Sequence, residues 1–177
     1  MAVSLILLEI KDAPGDATVA GYENHIVVDS FSWSVTAKTT VIQMEDPVTK
    51  IDAKAVSIKK QFDRSSTVLR EMMKKPGDPS FTATLRFIDP TSRSASSTKG
   101  QGKLDALLEI ELLGCHIDKI SLSADDAGKE VTITEDLVLS YEKSANFTYR
   151  NYDAAKKARS SAKTAQIPPS EKDPGKT

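Results

Sequence analysis

A chain of 177 residues, 39% hydrophobic and 28% charged, is long enough for one domain with a real core and has the balance of a soluble globular protein. Its 24 basic and 25 acidic residues leave a formal net charge of −1, which gives no support to binding of nucleic acid or an anionic membrane. A single cysteine, Cys115, excludes an intramolecular disulfide framework.

Residues 3–10 are apolar on both faces, with Val3, Leu5 and Leu7 against Ile6, Leu8 and Ile10. That is the pattern of a strand covered on both sides. No basic region precedes this run, and it ends in Glu9, Lys11 and Asp12. It is too short to cross a membrane, which takes about 20 apolar residues, and unlike a signal peptide. The expected site of synthesis is the cytoplasm, and any export is expected to proceed without a cleaved signal.

Residues 12–24 carry Pro14, Gly15 and Gly21 and read as a loop. Residues 26–35 read as the next strand, with Val27, Phe31, Trp33 and Val35 on one face and Ser30, Ser32 and Ser34 on the other. Trp33 is expected as a core anchor. Residues 38–54 read as a long polar connection with one apolar pair, Val41 and Ile42, and Pro47. Structureless loops beyond about 12–15 residues tend to be functional. This one is a candidate contact arm, with Val41, Ile42, Met44 and Val48 as its contact residues.

The strongest local signal lies in residues 56–73. Val56, Ile58, Lys60 and Phe62 alternate with period two, as along one face of a strand. The period then changes: Val68, Leu69, Met72 and Met73 fall on one side of a helix. Asp63, Ser65 and Ser66 can cap its start, and Lys74, Lys75, Pro76 and Gly77 give it a basic last turn and a stop. The spacing predicts one helix at about residues 66–75 in a chain that otherwise reads as strand. Such a helix must pack on a sheet or plug the end of a barrel.

Phe81, Ala83, Leu85 and Phe87 alternate again, and Pro90 is expected to end that strand. Residues 91–103, rich in Ser and Gly, read as a flexible hairpin tip. From residue 106 a long strand follows, with Leu108, Ile110 and Leu112 on one face and Glu109 and Glu111 on the other. Its phase changes at Gly114 and again at Asp118–Lys119, which predicts bulges or a bend. Residues 125–129 are a turn with Gly128 as its permissive position. Val131, Ile133, Leu137, Leu139 and Tyr141 then share one face, interrupted by Glu135, and Ala145, Phe147 and Tyr149 keep the same parity. From residue 153 onward, Ala, Lys, Ser and Pro dominate. That tail carries +3 against −4 for residues 1–152. The expected organisation is one domain over residues 1–152 and a flexible, disordered tail over 153–177, with at most a transient helix at 153–165.

No catalytic pattern emerges: there is no phosphate loop, nucleophile elbow, HExxH or paired CxxC. His116 and Asp118 lie two apart in a strand, but two ligands do not make a metal site. Cys115 and His116 are strand neighbours and face opposite ways, so Cys115 reads as a buried, inert thiol. Neither an enzyme nor a cofactor or metal is expected.

Three stretches together resemble the hemolysin-coregulated protein family, Hcp, the tube protein of bacterial type VI secretion. They are residues 30–35 (SFSWSV), 56–69 (VSIKKQFDRSSTVL) and 115–141 (CHIDKISL, a turn, then VTITEDLVLSY). The start of the helix is the most specific part: Lys60, Asp63, Arg64, Ser65, Ser66 and Leu69 match the family pattern, and Thr67 stands where the family has proline. On that alignment Ser66 would be the N-cap and Thr67 the first helical residue. The resemblance implies a mainly β fold, an antiparallel β-barrel or two-sheet sandwich with one α-helix. It further implies homo-hexameric rings stacked into a tube inside a contractile sheath. The implied partners are the sheath, a VgrG-type spike protein and secreted effectors, with no nucleic acid and no membrane insertion. An alternative from a different class is a monomeric or dimeric β-sandwich that binds a peptide or carbohydrate.

Overall fold

The structure is a computed structural model that describes residues 5–41, 46–74, 80–93, 104–126, 128, 130–150, 152–153, 158–159 and 163–170. Its strands are β1 (Leu5–Ile10), β2 (Ile26–Val28), β3 (Ser30–Ser32), β4 (Val35–Thr40), β5 (Val48–Ala53), β6 (Val56–Gln61), β7 (Phe81–Arg93), β8 (Leu104–Asp126), β9 (Val131–Tyr149), β10 (Tyr152–Asp153), β11 (Ala158–Arg159) and β12 (Lys163–Ile167). One helix, α1 (Ser65–Lys74), follows β6. The class is the expected one, mainly antiparallel β with a single helix.

The main sheet runs β2-β1-β7-β8-β9-β6-β3, all antiparallel. Its two end strands, β2 and β3, are separated in sequence by Asp29 alone. The sheet therefore has to curl until its ends meet, and Asp29 N–H seals the join by donating to Lys59 O at 2.8 Å. Closure in this way removes the open edges. The expected single strand over residues 26–35 is instead broken where it changes partner, from β1 to β6. The break shifts the side-chain phase. Ile26 and Val28 are buried while Val27 is 40% exposed, so Val27 does not share the core face with Phe31 and Trp33.

Inward residues from every barrel strand form the core, among them Leu8, Ile26, Ile58, Leu85, Leu112, Leu137 and Leu139. Leu69 of α1 reaches into the same cluster. A smaller cluster of Leu7, Ala17, Tyr22 and Ile88 lies beneath residues 13–25, which explains why β1 is apolar on both faces. Gly15 holds this loop close to the sheet. A Cβ there would meet His25 O at 2.4 Å and Ile26 Cα at 2.5 Å. Gly15→Ala is expected to cost about 1–3 kcal/mol by overpacking against backbone, read as a lowered urea midpoint with unchanged slope.

Both predicted phase changes in β8 appear as register shifts against β9, between Leu113 and Cys115 and between Ile117 and Lys119. Gly114 takes φ +73° at the first. The chain also departs from the expectations in four places. Strand β7 does not stop at Pro90 but runs on to Arg93, because its far end lies at the rim, where the ladder to β8 is irregular. Phe62 and Met73, expected on buried faces, are 43% and 42% exposed, since β6 ends at Gln61 and α1 turns Met73 outward in its last turn. Residues 38–54 are no structureless loop: β4 and β5 pair over six positions from Val35↔Ala53 to Thr40↔Val48. Finally, part of the expected disordered tail is ordered. Strand β12 pairs with β9 from Lys163↔Tyr149 to Ile167↔Ala145, and β10 pairs with β11. The ladder and the packing of Ile167 on the core supply what a polar segment lacks in isolation. Of the expected hairpin tip at 91–103, residues 91–93 belong to β7, and the rest lies outside the described residues.

Candidate functional site

Two features stand out on the barrel: a buried ion cluster that fixes α1, and the β4–β5 hairpin that projects from it. The cluster begins with Lys60, which occupies a core-facing position of β6 and is fully buried. Its Nζ donates to Glu135 Oε2 at 3.0 Å, Ser66 Oγ at 2.9 Å and Gln61 O at 2.8 Å, and lies 2.8 Å from Asp63 Oδ1. Glu135 is 1% exposed and stands opposite Lys60 in the β6–β9 ladder. It also accepts from the Ser66 hydroxyl and meets Arg70 Nη1 at its other oxygen. Burial acts to raise the Glu135 pKa. The hydrogen bonds from Ser66, Lys60 and Arg70 outweigh that and hold the carboxyl below its ordinary range.

The same residues cap the helix. Asp63 Oδ1 accepts from the Ser65 backbone N–H at 3.0 Å, and Asp63 N–H donates back to Ser66 Oγ at 3.0 Å. Asp63 is thus the N-cap, its own N–H met by the Ser66 hydroxyl three residues on, which corrects the expectation of Ser66 as N-cap and Thr67 as first helical residue. Asp63 takes the role because Ser66 is already engaged inward by Lys60 and Glu135. Arg64 points the other way, donating through Nε to Gly15 O at 2.8 Å and through Nη2 to Asn24 Oδ1. The motif from Lys60 to Ser66 thus joins β6, β9, α1 and the loop at 13–25, and Leu69 adds the apolar contact. Glu135 was the residue missed from sequence, where it read as a break in an apolar face. Its parity with Leu137 and Leu139 was the available signal.

The hairpin forms a two-stranded sheet of its own, with no ladder to a barrel strand among the described residues. Val41 is 75% and Val48 53% exposed. Both sit at its outer end, beside the Thr40↔Val48 pair. Ile42 and Met44 lie outside the described residues. Trp33 sits at the root: its Nε1 donates to Lys54 O at 2.8 Å, and its ring stacks on Phe147 with centroids 5.2 Å apart.

A cleft of about 280 Å³ lies between Asp16, Val27, Asp29, Gln61, Phe62 and Asp63. It holds no nucleophile or histidine, and its Asp63 is already committed to the cap. Cys115 is buried, and burial pushes its thiol up to about 12. His116 instead meets Glu142, with Nε2 3.4 Å from Oε2. Asp118 accepts from Ser140 Oγ at 2.8 Å. No group of three metal-ligating side chains occurs among the described residues, and no described helix is long and apolar enough to cross a membrane.

The described residues form a closed, mainly antiparallel β-barrel with one clamped helix and a separate two-stranded hairpin. The family model for "Type VI secretion system effector, Hcp" matches residues 7–149, and the chain belongs to the Hcp family, whose members are non-catalytic, secreted structural proteins of type VI secretion. Its fold is similar to "Structure of a type six secretion system protein", with TM-score 0.72 and 14% identity over 93% of each chain. It is also similar to Hcp1 from Salmonella typhimurium (TM-score 0.64, 18% identity, 95% of each chain). The secreted protein Hcp3 from Pseudomonas aeruginosa gives TM-score 0.61 and 14% identity over 96% of this chain and 100% of that one. A comparison with curated protein sequences returned no match.

Proposed function

We propose that the chain assembles as homo-hexameric rings that stack into the inner tube of a type VI secretion system and carry effectors out of the cell. The observation that carries this reading is the β4–β5 arm, a separate two-stranded sheet ending in exposed Val41 and Val48. Apolar side chains set on a projecting hairpin gain by burial against another surface. An arm on one side of a subunit that docks elsewhere on the next is a heterologous contact, the kind that closes rings or extends stacks. The sheath around the tube, a VgrG-type spike at its tip and cargo effectors are the partners this role requires. The route is assembly in the cytoplasm and export without a cleaved signal peptide.

Light scattering with negative-stain imaging tests the assembly. Six-fold rings are expected, and a strict monomer at high concentration refutes the tube reading in favour of a monomeric binding module. Deleting residues 40–52 tests the arm: stacking is expected to be lost while the barrel still melts cooperatively. Rings and tubes that form unchanged without those residues would remove the arm from the assembly.

A further inference from the structure

Among the described residues β4 and β5 share no ladder with the barrel, so the direction of the arm is set by contacts at its root, where Ala53 packs on the core. Lys54 N–H donates to Ser34 O at 3.0 Å, and Trp33 Nε1 to Lys54 O at 2.8 Å. A third tie comes from far along the chain. Ser170 Oγ lies 2.9 Å from Asp52 Oδ1 and 2.8 Å from Ala53 O, at the end of β5. Hydrogen bonds from Lys54 and then Ser170 hold the Asp52 carboxyl below its ordinary range, consistent with a charged acceptor at this tie.

Ser170 is in turn positioned by β12. Tyr141 OH donates to Pro168 O at 3.1 Å, Ile167 packs on the core, and Ala165 pairs with Phe147, the residue on which Trp33 stacks. The arm's root and the C-terminal segment therefore lean on the same stretch of β9. Strand β12 is nevertheless lightly held: Lys163, Thr164, Ala165 and Gln166 are exposed, and only Ile167 is half-buried. Segments that bury so little apolar surface open locally at lower free energy than the strands of a core.

We propose that residues 163–170 form a strap that sets the direction of the β4–β5 arm, with Ser170 as the positioning residue. When β12 opens, the arm swings about residues 33–34 and 54–55. The consequence for stacking rests on the arm's role proposed above; the swing itself is a property of the single chain. A strap of this kind lets the C-terminal segment decide whether the arm points at a neighbour.

Spin labels at Thr39→Cys and Asp136→Cys, in chains diluted among unlabelled ones, read the arm's direction. Cys115, buried and with its thiol raised to about 12, resists labelling. A narrow distance distribution is expected in the full chain. It should broaden clearly on removal of residues 163–177, and to a smaller degree in Ser170→Ala. Unchanged width in a truncated chain that melts like the parent overturns the strap. If the truncated chain does not fold, Ser170→Ala decides by hydrogen exchange: a faster Lys54 amide supports the strap and an unchanged one refutes it. Tubes are scored separately. A swinging arm in a chain that still builds tubes keeps the strap and counts against the arm's part in stacking.

Discussion

Glu135→Ala is expected to lower the unfolding free energy by about 3–5 kcal/mol, because it takes from the buried Lys60 ammonium one of its two carboxylate partners, the one across the β6–β9 ladder. Ser66 Oγ and Arg70 lose an acceptor in the same step. Lys60→Ala should cost a similar amount by removing the buried cation at Glu135 Oε2, which leaves that carboxylate to Arg70 and the Ser66 hydroxyl. The double variant Lys60→Met/Glu135→Leu is expected to cost less than either single, since it removes both charges and keeps the volume. Urea melts of the four proteins measure this directly, and additive losses would show that the two side chains act independently. A pH dependence follows with a definite sign. The folded pKa of Glu135 is depressed, so its stabilisation is complete above the ordinary glutamate value of about 4.3. It is lost as pH falls from there through the folded value. The parent should therefore lose more stability between neutral and acid pH than the charge-free double variant does.

Leu69→Asp should abolish the fold and with it any ring. Leu69 is 1% exposed and is the one fully buried apolar side chain that α1 contributes to the barrel core. Leu69→Ala alone is expected to cost about 2–5 kcal/mol through lost transfer energy and the cavity left behind. The aspartate adds a carboxylate to an apolar core cluster. Circular dichroism melts and size measurement read both variants. A soluble Leu69→Asp protein with a sharp transition would mean that the barrel closes without the helix.

These two sites differ in how far they could be seen in the sequence. Leu69 was visible because apolar residues at helical spacing, bounded by cap residues and a Pro-Gly stop, carry a local signal. The Lys60–Glu135 pair was only half visible. Lys60 is part of the motif at the start of the helix, but its partner is 75 residues away, and the parity of Glu135 with Leu137 and Leu139 marks its face without saying which cation meets it there. Asp63 was likewise named as a possible cap, yet the choice between it and Ser66 depended on what Ser66 touched in β9.

By itself the sequence determined the class, the single helix near residues 66–75, and the two phase changes of β8 at Gly114 and Asp118–Lys119. Each is written in the period of side chains along a few residues, which is a local property. Tertiary structure alone decided the closure of the barrel at Asp29, the hairpin within residues 38–54, and the ladder that orders residues 163–167. A polar segment such as β4–β5 or β12 has no apolar period to betray it, and becomes a strand only when another strand is there to accept its hydrogen bonds.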